Sequence, residues 1–169
     1  MTYLITFSCY GCHLHGDEAG SVDPDHNIVG SRVIDANPKR TGWVRSRMDQ
    51  PPYSMDQDRR QEVLSSLVER CLDRGWTLLA AHVRTNHVHL VIEAEVQPER
   101  IMNDLKSFAS RRLNQLGFDG ADRKRWARHG STRWLWKREA ILAAVCYVVD
   151  KQGDQMAVYR AATTGSDLL

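Results

Sequence analysis

The sequence predicts an α+β fold, a ferredoxin-like antiparallel sheet with helices packed on one face. Short runs rich in β-branched and aromatic residues alternate with longer amphipathic runs in the order β, α, β, β, α, β, α. Two of the strand-like runs, 76–83 and 87–94, are separated by a short polar stretch, which favours an antiparallel hairpin. A length of 169 residues with 42% hydrophobic residues is enough for one core and too short to divide comfortably into two.

The first strand is predicted over residues 3–8 (YLITFS), because β-branched and aromatic side chains favour extended backbone. Residues 11–52 scatter Gly, Pro, Asn and Asp among few periodic apolar residues, which indicates a long connection with one short strand near 43–47. So long a connection is unusual in a compact domain, and it is therefore a candidate functional loop.

A helix is predicted next, capped by Ser54 or Asp56 and running to about Arg74, where Gly75 ends it. Its apolar residues recur every three or four positions, as in a helix with one buried side. This helix leads directly into the predicted hairpin.

The second half of the chain begins with a helix over residues 98–117, with a proline at its first position. A basic loop follows, and a further strand is predicted at 132–136. Residues 138–152 have the periodicity of a helix that Gly153 ends.

We expect one catalytic domain, residues 1–162, followed by a flexible tail at 163–169. The longest apolar stretch, 140–149, is about half of what a membrane-spanning helix needs, and the N-terminus lacks the basic start of an export signal. The four cysteines have spacings typical of no disulfide framework. These features predict a cytoplasmic protein that does not contact a membrane.

Positive charge is concentrated between residues 100 and 138, a segment that contains eleven Lys or Arg residues and only three acidic residues. Trp126, Trp134 and Trp136 lie within this basic segment. Cations interleaved with aromatic rings are typical of surfaces that hold phosphates and stack bases. A solvated charged face with buried tryptophans explains the pattern equally well, so this feature alone does not decide between them.

His87 and His89 flank Val88 in the run NHVHLV. Residues i and i+2 of a strand project from the same face, so the two imidazoles should lie side by side while Val88 points into the packing. Neutral imidazoles bind divalent first-row metals, and two of them need one or two oxygen donors to form a site with room for substrate. The spacing alone favours two half-exposed histidines without a ligand. The hairpin register decides whether His82 faces the pair or points away from it.

At these residues the chain resembles a known family. The run NHVHLV resembles the HUH motif (His, bulky hydrophobic, His) of the HUH endonuclease superfamily. More narrowly, the chain resembles the single-tyrosine transposases of single-stranded DNA, of the insertion sequence 200-like and REP-associated kinds. The likeness includes the opening YLITFSCYG strand, the LKSFASRRLN stretch, the tryptophan-rich basic segment and the late AAVCYVVDKQG helix.

The resemblance implies that His87 and His89 bind Mg²⁺ or Mn²⁺, which polarises a phosphate of single-stranded or hairpin DNA. It also implies that Tyr147 attacks this phosphate and forms a 5′-phosphotyrosine link. A phenol is a poor nucleophile near neutral pH, so a cation that neutralises charge on the phosphoryl oxygens lowers the barrier. Without the resemblance, Tyr147 is better interpreted as a core or rim aromatic residue of an amphipathic helix.

One position departs from the family pattern. Relatives place a Gln or Asn ligand four residues after the tyrosine, and here that position is Lys151. From Tyr147, Asp150 lies about 60° and Gln152 about 140° around an ideal helix, on opposite sides. We expect Gln152 to be the third ligand if the helix ends or distorts near Gly153, and Asp150 is the alternative.

The leading hypothesis is therefore a metal-dependent transposase that nicks single-stranded DNA and transfers the cut strand. The alternative is a DNA-binding regulator that has kept the fold and lost cleavage; a hydrolase of small phosphate esters ranks last because it gives the basic segment no task. The resemblance also implies a homodimer. Phosphate contacts are expected from Lys106, Arg111, Arg112, Arg123, Lys124 and Arg125, with a tryptophan stacking a base.

Overall fold

The computed structural model describes residues 1–12 and 38–162. The elements in chain order are β1 Thr2–Cys9, α1 Pro38–Ser46, α2 Gln57–Arg74, β2 Thr77–Val83, β3 His87–Glu93, α3 Pro98–Gln115, β4 Trp126–Leu135, α4 Arg138–Asp150 and β5 Ala157–Arg160. The predicted tail at 163–169 lies outside the described residues, as does much of the predicted long connection. Within the described ranges, no helix is both long enough and apolar enough to cross a membrane.

The five strands form one antiparallel sheet in the order β4-β1-β3-β2-β5. β1 lies between β3 and β4, so the start of the chain forms an interior strand of the sheet. The predicted hairpin forms from β2 and β3, with Val83 opposite Val88. The predicted α+β class with an antiparallel sheet is confirmed.

Each face of the sheet carries its own apolar core, because successive side chains of β3 point to opposite faces. Val88, Leu90 and Ile92 pack with α2 and α3 on one face. Val91 points to the other face, where Val148 of α4 packs in the same cluster. The prediction of helices on one face therefore describes α2 and α3, and α4 adds a layer on the opposite face.

Three details differ from the sequence analysis. The short strand predicted near 43–47 is wrong, because residues 43–46 form the end of helix α1. That helix begins at Pro38, and proline is favoured at a first helical position because the N–H there has no partner within the helix. The strand predicted at 132–136 begins at Trp126, since it pairs with β1 over nearly the whole length of that strand. The four-residue strand β5 was not predicted.

The start and end of α2 confirm the predicted helix. Of the two candidate caps, Asp56 is the one used, since its side chain accepts a hydrogen bond from the backbone N–H of Arg59. Gly75 ends the helix in the left-handed conformation, with φ of 68°. Both ends of α2 are therefore set by local sequence.

Gly130 lies where β4 approaches β1 too closely for a side chain. A Cβ at this position would lie 2.5 Å from the carbonyl oxygen of Thr6 and 2.5 Å from the sulfur of Met102. Gly130→Ala must therefore push β4 away from β1, and we expect it to lower the free energy of unfolding by about 1–3 kcal/mol in urea denaturation. Gly42→Ala is the matched control, because a Cβ there meets nothing within 4 Å. Equal urea midpoints for the two variants would contradict this close approach.

Candidate active site

His87 and His89 lie side by side on the face of the sheet that α4 covers. Residues 87, 89 and 91 point to the same face of β3, and Val91 packs against α4 on that face. The ring centroids of His87 and His89 are 4.7 Å apart. In the neighbouring strand, Thr6 lies opposite His89 and Ser8 lies opposite His87. The two imidazoles therefore share a face, as strand geometry predicts.

His89 is buried, with 7% of its surface exposed. Its Nδ1 lies 2.7 Å from the Thr6 hydroxyl oxygen, which fixes the orientation of the ring. Burial, together with the neighbouring His87, His82 and Arg84, lowers the pKa of His89 to about 3. The imidazole is therefore neutral at physiological pH and keeps a lone pair for a cation.

The orientation of the His87 ring is set by its neighbour in the chain. Nδ1 of His87 donates a hydrogen bond to the side-chain oxygen of Asn86, at 2.6 Å. A donor at Nδ1 leaves the lone pair of a neutral ring on Nε2. The carbonyl of Asn86 also accepts a hydrogen bond from the Cys9 N–H at 2.8 Å, which ties this turn to the end of β1.

His82 lies on the same face, directly opposite His89 in the β2–β3 pairing. It is fully buried, and both of its ring nitrogens are used. Nδ1 donates to the carbonyl of Val148 at 3.0 Å, and Nε2 accepts from the Met156 N–H at 3.2 Å. Burial lowers the pKa of His82, which keeps the ring neutral in this arrangement. The third histidine thus anchors α4 to the sheet and cannot also bind a metal.

α4 brings Tyr147 to the histidine pair. Val148 and Val149 are buried against the sheet, so the preceding residue lies at the edge of this contact. The Tyr147 ring centroid is 5.7 Å from that of His89, with the ring planes 74° apart. Tyr147 is 42% exposed, so a substrate can reach it from solvent. A phenol and two imidazoles therefore meet within one chain.

The end of α4 places Gln152 beside this group. The helix ends at Asp150, and Gly153 turns the chain with φ of 77°. The side chain of Gln152 donates from Nε2 to the carbonyl of Tyr147 at 3.2 Å, and it lies close enough to the imidazole of His89 to affect the pKa of that ring. Asp150 and Lys151 are exposed. Of the two candidate third ligands, the structure therefore brings Gln152 to the histidines.

The side chains at this point fit a divalent cation. Among the described residues, no group of three or more His, Cys, Asp or Glu side chains could hold a metal ion, so a cation here needs another oxygen donor. The amide of Gln152 is placed to provide it. Two imidazoles and one amide leave coordination positions open for phosphate oxygens.

A sequence profile of the family described as "Transposase IS200 like" matches residues 52–142, more than half of the chain. The chain belongs to this transposase family. The matched residues include His87 and His89 and end before Tyr147 and Gln152. The roles of the last two residues in this transposase therefore depend on geometry.

Among solved structures, the transposase is similar to one described as "Structure of the REP associates tyrosine transposase bound to a REP hairpin". The two chains are 10% identical with a TM-score of 0.47, and the alignment covers 88% of this chain and 64% of that chain. The chain thus spans less than two thirds of that protein. No curated protein matches the chain.

Two of the cations predicted to contact DNA are buried in the transposase. Lys106 is 6% exposed and donates to the carbonyls of Ala127 and His129, which supports β4. Arg125 is 3% exposed and donates to the carbonyl of Phe118 at 2.9 Å. Their burial contradicts the prediction that they hold phosphates, because both groups are occupied by backbone oxygens in the interior.

The other four predicted cations are at least partly accessible and lie in two places. Arg111 is exposed on α3, and Arg112 beside it forms an ion pair with Glu69 of α2. Both belong to the helical layer on the far side of the sheet from the histidines. Arg123 and Lys124 lie at the end of the sheet where His87 begins β3 and β1 ends, called here the histidine end. The chain next to them is held there by a hydrogen bond from the Tyr10 N–H to the Arg125 carbonyl.

Sequence reasoning missed two residues beside the histidines. Thr6 contacts His89 from a strand more than 80 positions away, and only the β1–β3 register reveals it. Arg84 donates from Nη1 to the carbonyl of Asp154 at 2.9 Å, which ties the hairpin to the segment after α4. The sequence shows Arg84 two residues before Asn86, but it gives no sign that Arg84 pairs with the Asp154 carbonyl 70 positions away.

Proposed function

We propose that this transposase cuts and rejoins single-stranded DNA through a 5′-phosphotyrosine intermediate, with Tyr147 as the nucleophile. His87, His89 and Gln152 would hold Mg²⁺ or Mn²⁺. The observation that carries the proposal is the 5.7 Å separation between the Tyr147 and His89 rings of the same chain. Membership of the transposase family gives the reaction its class.

A divalent cation held by these residues would supply Lewis acidity toward the oxygens of the scissile phosphate. Tyr147 Oη attacks phosphorus, so that an Oη–P bond forms while the bond from phosphorus to the 3′ oxygen breaks. The phenol loses its proton to solvent, and the departing 3′ oxygen takes up a proton. The products are a 5′-phosphotyrosine and a 3′-hydroxyl, and a second 3′-hydroxyl reverses the step to rejoin the strand.

The surrounding residues position these groups. Thr6 orients His89, and Asn86 orients His87. His82 fixes the last turn of α4 through the Val148 carbonyl, and therefore also fixes the adjacent Tyr147. Such preorganisation lets the nucleophile meet the phosphate without a costly rearrangement.

A covalent adduct is the direct test of the proposal. We expect the full chain, mixed with Mn²⁺ and labelled oligonucleotides that carry the palindromes flanking its coding region, to form a protein–DNA adduct that survives SDS. EDTA should prevent it. A chain that binds these oligonucleotides but forms no adduct with Mn²⁺ or Mg²⁺ would contradict cleavage and would favour a DNA-binding regulator.

The regulator alternative would be favoured by Lys151 at the position where relatives have a Gln or Asn ligand. The amide of Gln152 lies beside the same pair of histidines, which weakens this alternative. The proposed chemistry uses groups of one chain and needs no second copy. A homodimer and a cytoplasmic location stay predictions of the sequence.

A further inference from the structure

We propose that α1 and the two residues after it, residues 38–48, form a DNA-binding arm, called here the basic arm. It would hold the phosphate backbone with its cations and stack one unpaired base on Trp43. This inference rests on the proposed function, because the bound DNA is the strand that the active site would cut. It adds a contact surface outside residues 52–142, where the family match lies.

The composition of the basic arm suits a polyanion. It contains Lys39, Arg40, Arg45 and Arg47 and no acidic residue. The described side chains of Lys39, Arg45 and Arg47 are exposed. A run of exposed cations with no acid among them attracts phosphates and releases their counterions on binding.

Trp43 adds a surface for stacking. It is 58% exposed, an unusual position for so large an apolar ring. The guanidinium of Arg47 lies 4.3 Å from the ring centroid, over one face of the indole. A nucleobase stacked on the indole would meet an aromatic surface and a cation together, the combination used to bind single strands.

The helix α1 has little support from the rest of the described chain. It spans nine residues, and its packing against the other described helices and strands is at most marginal. A helix of this length is marginal in water on its own, and like charges along it reduce its stability further. Neutralisation by phosphates would remove this repulsion, so DNA should order the arm.

The basic arm lies at the histidine end of the sheet. The Met48 methyl group packs directly over Gly11, just beyond β1. The chain then returns along this end through bonds from the Tyr53 N–H to the Tyr10 carbonyl, 2.9 Å, and from the Met55 N–H to the Thr85 carbonyl, 2.7 Å. Thr85 is two residues before His87, so a strand held by the arm can continue to the metal-binding pair.

Among the described residues, the charged side chains that follow the arm agree with this path. Asp49 directly follows the arm, and its carboxylate is occupied by an ion pair with Lys124 and a hydrogen bond from the Tyr10 hydroxyl. Arg123 stacks on Tyr53 in the same region. Lys124 therefore neutralises Asp49, and Arg123 carries positive charge next to the arm.

Binding to a single-stranded oligonucleotide tests the arm against a matched control. Arg45→Gln with Arg47→Gln removes two cations, and we expect the slope of log affinity against log salt to fall by about 1.4. Trp43→Ala should weaken binding by about tenfold. The controls are Arg74→Gln with Arg160→Gln, which are exposed cations outside the basic segment 100–138, and Leu72→Ala, which removes an apolar side chain that is 75% exposed. These should leave the slope and the affinity unchanged.

Hydrogen exchange provides a second measurement that does not depend on variants. The amides of 38–46 in the wild-type chain should exchange rapidly alone and become protected when the oligonucleotide is bound. Equal effects of the arm and control variants, absence of this protection, or tighter binding of RNA of the same sequence would each overturn the inference. The arm variants should still form the covalent adduct at saturating DNA. Failure of the arm inference can therefore be distinguished from failure of the proposed function, in which the wild type itself would form no adduct.

Discussion

Tyr147→Phe should abolish the covalent protein–DNA adduct, with a loss of at least about a thousandfold in the rate of nicking. The substitution removes only the hydroxyl and keeps the ring that lies against His89, so the fold and the affinity for DNA should not change. Adduct formation on a denaturing gel and DNA affinity by fluorescence anisotropy check the two parts. Tyr10→Phe is the matched control, because Tyr10 is a partly exposed tyrosine at the same end of the sheet.

A mixture of inactive variants tests whether the tyrosine serves its own chain. Because Tyr147 lies beside His89 of the same chain, an equal mixture of Tyr147→Phe and His89→Ala should stay inactive. Recovery of activity would contradict this arrangement and show that the tyrosine of one chain serves the histidines of another. An adduct in the Tyr147→Phe variant alone would exclude Tyr147 as the nucleophile.

His89→Ala should lower nicking by at least about a hundredfold while most of the DNA affinity remains. The reason is that the substitution removes a metal ligand, whereas the backbone of the DNA is held by cations elsewhere. We expect Mn²⁺ binding, measured by calorimetry, to be lost in His89→Ala and weakened in Gln152→Ala. Equal nicking by wild type and His89→Ala in saturating Mn²⁺ would contradict a metal role for this pair.

Asp150→Ala is the control for the third ligand. Asp150 is exposed, and Gln152 contacts His89, so the aspartate variant should bind Mn²⁺ and nick DNA within about twofold of wild type. The opposite pattern, with Asp150→Ala losing the metal and Gln152→Ala keeping it, would assign the third position to the aspartate. Either pattern identifies the ligand that replaces the expected residue at position 151.

Much of this site could be predicted because it follows from local rules. The period of a strand fixes that His87 and His89 share a face, and the apolar stripe of α4 fixes that Val148 is buried while Tyr147 is not. The antiparallel sheet followed from the spacing of strand-like and helix-like runs. Strand register is a different matter, because it depends on pairing across the whole chain. The register of β2 against β3 places His82 on the same face as His87 and His89, and no local pattern in the sequence predicts that register.

The wrong predictions have physical causes as well. Lys106 and Arg125 look like surface cations in a basic segment. However, β4 extends through that segment, and its carbonyls accept hydrogen bonds from the buried Lys106 ammonium. A count of charges cannot distinguish a cation that binds phosphate from one that satisfies backbone oxygens. α1 was missed because a short, highly charged run carries no apolar stripe, which is the main signal of a helix.

The most direct measurement is tandem mass spectrometry of the proteolysed covalent adduct. The chain has five tyrosines, of which Tyr3 and Tyr53 are buried and Tyr147 is 42% exposed beside His89. We expect the nucleotide on the peptide that contains Tyr147, bonded through a 5′ phosphate. A nucleotide on any other residue, or a link through a 3′ phosphate, would contradict the proposed mechanism.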